Sequence, residues 1–176
     1  NFFLQYGVVP ALVTGSAKMQ GYGAWEMARS FMSTQFLHAG FFHLLSNMWY
    51  LWIFGDNIED RIGHVPFVAF YLTCGFGAAL AQIVMGPNST IPMVGASGAI
   101  SGVMGAFFLL FPGTRVVTLL PFFFFFHLVE LPAFLFLGIW ILFQLLSIGS
   151  PSDVAFLAHV GGFIIGLALT PRFTRR

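Results

Sequence analysis

Residues 95–102 have the sequence Gly-Ala-Ser-Gly-Ala-Ile-Ser-Gly, and residues 158–166 have the sequence Ala-His-Val-Gly-Gly-Phe-Ile-Ile-Gly. In both stretches, small residues recur four positions apart, which places them on one face of a helix. Such a face allows a second helix backbone to approach closely, as in the small-residue contacts of membrane helices. Each stretch also carries one chemically active side chain, Ser97 in the first and His159 in the second. The pattern predicts a close pair of helices whose small-residue seam contains Gly95, Gly98, Gly102, Gly162 and Gly166.

The composition around these stretches is that of a membrane protein. Of the 176 residues, 58% are hydrophobic and 7% are charged, and the mean hydropathy is +0.88; typical soluble domains have about 45–50% apolar and about 25% charged residues. This composition excludes a disordered chain and a free-standing soluble enzyme. A net charge of +1 without a basic cluster argues against a nucleic-acid partner. We therefore expect an integral membrane protein whose surroundings are a lipid bilayer.

Long segments without charged residues predict an all-α fold, a polytopic membrane helix bundle in one domain over residues 1–176. We expect residues 1–35 to form an external loop or interfacial region. Because residues 1–13 resemble the end of an earlier span, a first helix is expected to be truncated or missing in this chain. The predicted spans lie near residues 36–55, 65–86, 94–111, 129–148 and 154–170. The run Phe122–Phe126 is expected to be an interfacial stretch that leads into the fourth span.

Arginines follow the first, third and fifth of these spans, at Arg61, at Arg115 and from Arg172 onward. By the positive-inside rule these ends face the cytoplasm. Ser97 and His159 lie near the opposite ends of their spans, so an active site built from them would open to the outer side. The expected location is a bacterial inner or plasma membrane.

A nucleophile and its general base need only a hydroxyl and an imidazole within hydrogen-bond reach. Ser97 and His159 provide this pair, and we predict a Ser–His dyad without an acidic third member. Asp153 lies six residues before His159 and nearer the surface. Taken alone, Ser97 would also fit a small-residue packing seam, and His159 would fit a buried histidine with a hydrogen-bond partner.

An acyl-transfer site needs hydrogen-bond donors for the oxyanion besides a nucleophile and a base, and polar residues within an apolar helix could provide them. His43 and Asn47 are four residues apart and share one helical face, whereas His38 need not join it. With the backbone N–H of Ser97, the two side chains could donate hydrogen bonds to a developing oxyanion. Taken alone, His43 and Asn47 would equally fit hydrogen bonding between helices.

Together these motifs resemble those of the rhomboid intramembrane serine proteases, over nearly the whole chain. Residues 95–98 resemble the family's GxSG motif, with Ser97 as nucleophile, and His159 with its glycines resembles the last core helix. His43 and Asn47 resemble the HxxxN pair that holds the oxyanion. Trp25 with Arg29 resembles the family's WR element loosely, and Glu59 with Arg61 resembles a charged cytoplasmic pair.

The resemblance implies a six-helix core around a water-filled active site and an endopeptidase that cleaves single-pass transmembrane protein substrates. It implies neither a metal nor an organic cofactor, and it makes the helix with Pro132 and Trp140 the proposed lateral gate. Some relatives have an aromatic residue four positions after the nucleophile, where this chain has Ser101. Another residue, such as a Phe or Tyr of a neighbouring helix, is then expected to support His159.

Two other functions remain open from the sequence. The first is a catalytically inactive rhomboid-like protein that binds transmembrane segments. The second is a haem or metal protein that uses His38, His43 and His159.

Overall fold

The computed structural model describes residues 2–122, 125–150 and 154–174, and most of them are helical. The helical class predicted from the sequence is confirmed. The helices are α1 (Phe2–Tyr6), α2 (Pro10–Val13), α3 (Ala24–Ser33), α4 (Phe41–Ile62), α5 (His64–Met85), α6 (Ser97–Leu110), α7 (Ala133–Leu146) and α8 (Phe156–Phe173), with a 3₁₀ turn at Thr34–Phe36 between α3 and α4.

Helix α6 is the centre of the bundle. Nine consecutive residues, Ala99–Phe107, are buried, so the helix is enclosed on all sides by α4, α5 and α8. On one side Phe107 packs edge-on against Phe54 of α4, with ring centroids 5.1 Å apart. A helix enclosed in this way holds its first residue, Ser97, at a fixed position inside the protein.

The glycines of the predicted seam lie where α6 meets α8. A Cβ atom at Gly162 would overlap the carbonyl oxygen of Gly98, and one at Gly166 would overlap that of Gly102. A Cβ atom at Gly102 would also meet the side chain of Cys74 on α5. Only glycine therefore permits this backbone-to-backbone contact, which sets the distance between α6 and α8.

Two helices, α5 and α8, are long and apolar enough to cross a membrane by length and composition, and α6 and α7 are shorter apolar helices. Large apolar side chains cover the outside of the bundle, for example Trp52, Val84 and Leu146, each at least 70% exposed. An apolar exterior of this kind suits lipid rather than water. The arginine-bearing ends keep the predicted arrangement, since Arg61 is in the last turn of α4 and Arg172 in that of α8.

A β-hairpin between α6 and α7 corrects the prediction for the fourth span. Strand β1 (Arg115–Phe122) pairs antiparallel with β2 (Phe125–Pro132), in a register that places Leu119 opposite Leu128. Residues 129–132 are therefore strand, and the helix begins only at Ala133. Of the predicted interfacial run, Phe123 and Phe124 lie outside the described residues. The first predicted span also shifts, because α4 begins at Phe41 and continues to Ile62.

Candidate active site

Ser97 and His159 meet at one end of the α6–α8 contact. Ser97 is the first residue of α6 and His159 the fourth of α8. The Oγ atom of Ser97 lies 2.8 Å from the Nε2 atom of His159. This is hydrogen-bond distance between a hydroxyl and an imidazole nitrogen, and it is the separation that a nucleophile and its general base require.

Gln144 of α7 contacts the other side of the His159 ring, and sequence reasoning missed it. Its side-chain oxygen Oε1 lies 2.7 Å from Nδ1 of His159. Gln144 is the amide side chain in an α7 sequence that is otherwise made of apolar residues, Gly138 and Trp140. A lone polar group on an apolar helix needs a partner, and that signal in the sequence could have identified it.

Aromatic rings surround the same imidazole. Trp140 of α7 is tilted by 35° against the His159 ring at 6.0 Å between centroids, and Phe156 approaches edge-on at 6.5 Å. The support from a neighbouring helix, expected from a Phe or Tyr, comes from Trp140 instead, and the phenylalanine beside the ring, Phe156, belongs to α8 itself. Ser101, at the position where some relatives have an aromatic residue, donates its hydroxyl to the carbonyl oxygen of Ser97 at 2.6 Å.

His43 approaches Ser97 across Gly95. The backbone of Gly95 has a φ of +128°, and a Cβ there would lie 2.8 Å from Nε2 of His43 and 3.6 Å from Oγ of Ser97. Both atoms therefore line the space that the missing side chain leaves open. The backbone N–H of Ala39 donates to Nδ1 of His43 at 3.3 Å. In a neutral ring the proton then resides on Nε2, which faces the nucleophile as a donor.

Asn47 lies one turn further along α4 and is 5% exposed. Its side-chain nitrogen Nδ2 donates to the carbonyl oxygen of His43 at 3.0 Å. An amide nitrogen carries two hydrogens, so one of them is available for a further acceptor. The backbone N–H groups of the first turn of α6 add donors without intrahelical partners.

Two cavities adjoin the Ser97–His159 pair. The larger has a volume of about 570 Å³ and is lined by both residues, by His43 and Asn47, and by Ile91–Val94 of the loop before α6. The smaller, about 170 Å³, lies on the side of Tyr50, Met104 and Trp140. The four predicted site residues thus line the larger cavity together, and Asn47, Ser97 and His159 also line the smaller one.

Other predicted features lie elsewhere. Trp25 is exposed, and Arg29 donates to the carbonyl oxygen of Gln5 at 3.0 Å, so the two stand apart from the cavities. Glu59 contacts Nδ1 of His64 at 2.6 Å, and Arg61 lies in the last turn of the same helix, α4. Asp153 lies outside the described residues. Among the residues that the structure describes, no three His, Cys, Asp or Glu side chains converge as metal ligands would.

Comparison with known proteins gives the family. The model of the Rhomboid domain matches residues 24–176, which include all the residues of the site. The chain belongs to the Rhomboid family. Rhomboid proteins are membrane proteins, which agrees with the composition and with the apolar exterior of the bundle.

Relatives of this rhomboid protein come from several organisms. It is 33% identical to "RHOMBOID-like protein 6, mitochondrial" of Arabidopsis thaliana over 153 residues, 86% of this chain and 44% of the relative. It is 28% identical to "Rhomboid protein 1, mitochondrial" of Saccharomyces cerevisiae over 149 residues, 78% of this chain and 40% of the relative. "Rhomboid protease GluP" of Bacillus subtilis is 40% identical over 70 residues, 40% of this chain and 13% of the relative. The chain therefore spans less than half the length of these relatives.

Proposed function

We propose that this rhomboid protein is an intramembrane serine endopeptidase that cleaves transmembrane protein substrates through an acyl-enzyme on Ser97. The observation that carries the proposal is the 2.8 Å contact between Oγ of Ser97 and Nε2 of His159. A relative from Bacillus subtilis that bears the name of a protease adds support.

In the first step Nε2 of His159 takes the proton of the Ser97 hydroxyl while Oγ bonds to the scissile carbonyl carbon. The oxyanion that forms accepts hydrogen bonds from Nε2–H of His43, from the amide of Asn47 and from the backbone N–H of Ser97. The C–N bond then breaks as His159 returns the proton to the leaving amine, and an ester on Ser97 remains.

In the second step a water molecule replaces the departed amine. His159 accepts a proton from this water while the water oxygen bonds to the ester carbon. As the second oxyanion collapses, the bond from this carbon to Oγ breaks, His159 returns the proton to Oγ of Ser97, and the carboxylic acid leaves. The larger cavity provides room for the peptide and the water. The smaller cavity, beside Trp140, would take a short side chain of the substrate.

The arginine-bearing ends of α4 and α8 lie opposite the helix ends that carry Ser97 and His159. By the positive-inside rule we propose that the site opens to the outer, non-cytoplasmic side or its organellar equivalent. The relatives above include two proteins named mitochondrial and one bacterial protein, so they do not favour the bacterial inner or plasma membrane expected from the sequence.

Cleavage of a model single-pass substrate in proteoliposomes tests the function. The wild type should cleave it, and Ser97→Ala should abolish cleavage while its thermal unfolding is unchanged. Ser16→Ala is the matched control, since Ser16 is exposed and away from both cavities. Equal cleavage by Ser97→Ala and the wild type would contradict the proposal.

A further inference from the structure

The hydrogen bond between Gln144 and His159 determines which nitrogen of the catalytic ring carries the proton. The side-chain oxygen of an amide accepts hydrogen bonds and cannot donate them. With Oε1 of Gln144 2.7 Å away, Nδ1 of His159 must therefore be the protonated nitrogen. The lone pair of the neutral ring is then on Nε2, 2.8 Å from the Ser97 hydroxyl, where a general base needs it.

We propose that Gln144 is the positioning residue of the active site, a neutral third member that holds His159 in its base-competent tautomer and orientation. The inference rests on the proposed function, and it adds to the dyad predicted from the sequence a third residue, Gln144, which is hydrogen-bonded to His159 and takes up no proton. In other serine hydrolases a carboxylate holds the same ring nitrogen, and losing the correct tautomer there is costly. An amide provides the acceptor without placing a charge among apolar helices.

The surroundings explain why an amide on α7 has this role. The ring of His159 has aromatic neighbours in Trp140 and Phe156, which restrict its tilt but accept no proton from Nδ1. Gln144 lies one helical turn after Trp140, so α7 presents both to the same imidazole. Aromatic packing and the amide oxygen together leave the ring one orientation.

Substitutions at Gln144 distinguish a side chain that accepts a hydrogen bond from His159 from one that only packs against it. Gln144→Met keeps the length of the side chain and removes the oxygen, whereas Gln144→Glu keeps an oxygen acceptor. The readouts are the rate of covalent labelling by a fluorophosphonate, which reports activation of Ser97 without a peptide, and kcat and KM for the model substrate. Gln20→Met makes the same chemical change at an exposed position and serves as control.

We expect Gln144→Met to lower the labelling rate and kcat by roughly 10- to 100-fold with KM within about twofold, as for other groups that orient a reacting side chain. Gln144→Glu should recover most of this loss, and Gln20→Met should equal the wild type. If the wild type is labelled and Gln144→Met is labelled equally fast, the role of Gln144 is overturned. The same holds if Gln144→Met and Gln144→Glu lose equal activity. In both cases the proposed function of the protein stands. An unlabelled wild type would contradict the proposed function, and the role of Gln144 with it.

Discussion

Replacing Gly162 by alanine should disable the site without touching either reacting group. A methyl group at Gly162 would overlap the carbonyl oxygen of Gly98 and lie 3.3 Å from Cβ of Ser101. Both neighbours belong to α6, which is buried on all sides, so α8 has to move. Relief of the overlap requires a shift of about 1 Å, and a misplacement of that size lowers rates by about 10²-fold.

The same shift has a cost in stability. Overpacking a closely fitted contact destabilises a protein by about 1–3 kcal/mol. His159 lies one turn before Gly162 on α8 and would move with it, so its 2.8 Å contact with Ser97 would lengthen beyond hydrogen-bond range. Gly162→Ala should therefore lose about 10²-fold in fluorophosphonate labelling and unfold at a lower temperature in detergent.

Gly138→Ala is the matched control, because nothing lies within 4 Å of a Cβ atom at Gly138 of α7. This variant should label like the wild type and unfold at an equal or higher temperature, since alanine favours a helix more than glycine does. Wild-type labelling and stability in Gly162→Ala would refute the reasoning that the glycine contact sets the geometry of the site.

Three further predictions concern the donors beside the nucleophile and the cap of α3. Asn47→Ala should lower kcat by about 10²–10³-fold because its amide donates to the oxyanion, with only a small fall in unfolding temperature from the lost hydrogen bond to the carbonyl oxygen of His43; an unchanged kcat would contradict this role. Gly95→Ala should reduce the labelling rate, because its φ of +128° is strained for alanine and a Cβ would displace His43; a labelling rate equal to that of Gly138→Ala would contradict this. Glu26 accepts the backbone N–H of Gly23 at 2.9 Å, and backbone hydrogen bonds lower the pKa of its carboxyl from the ordinary value. The stabilisation is therefore fully present above the ordinary glutamate pKa and lost as the pH falls through the lowered one, so the wild type should unfold at a higher temperature than Glu26→Gln near neutral pH and at the same temperature in acid.

The glycine spacing predicted the centre of the protein because small residues four apart have one physical use in apolar helices. A helix face without side chains packs only against another backbone, so α6 and α8 had to meet. Their first turns then brought Ser97 and His159 to the same depth. Ser97 and His159 could thus be placed together from periodicity, whereas His43 and Asn47 were added to the site on the chemistry of their side chains.

The β-hairpin and the contact of Gln144 with His159 were not predicted from the sequence, for two different physical reasons. Most of the described residues of the two strands are apolar, apart from Arg115, Thr118, His127 and Glu130, and a largely apolar run does not distinguish a strand from a buried helix. The β-branched Val116–Thr118 and the proline at 132 were the local signals for a strand and for a late helix start. Gln144 was overlooked because support for His159 was sought among acids and aromatic rings.

The most direct test of the account is the site and rate of covalent labelling by a fluorophosphonate in the purified protein, located by peptide mass. The account predicts one adduct on Ser97 in the wild type and none in Ser97→Ala, together with at least a 10²-fold slower reaction in His159→Ala because the general base is gone. An adduct that forms equally fast without the imidazole, or a wild type that stays unmodified, would contradict the claim that the 2.8 Å contact activates the hydroxyl.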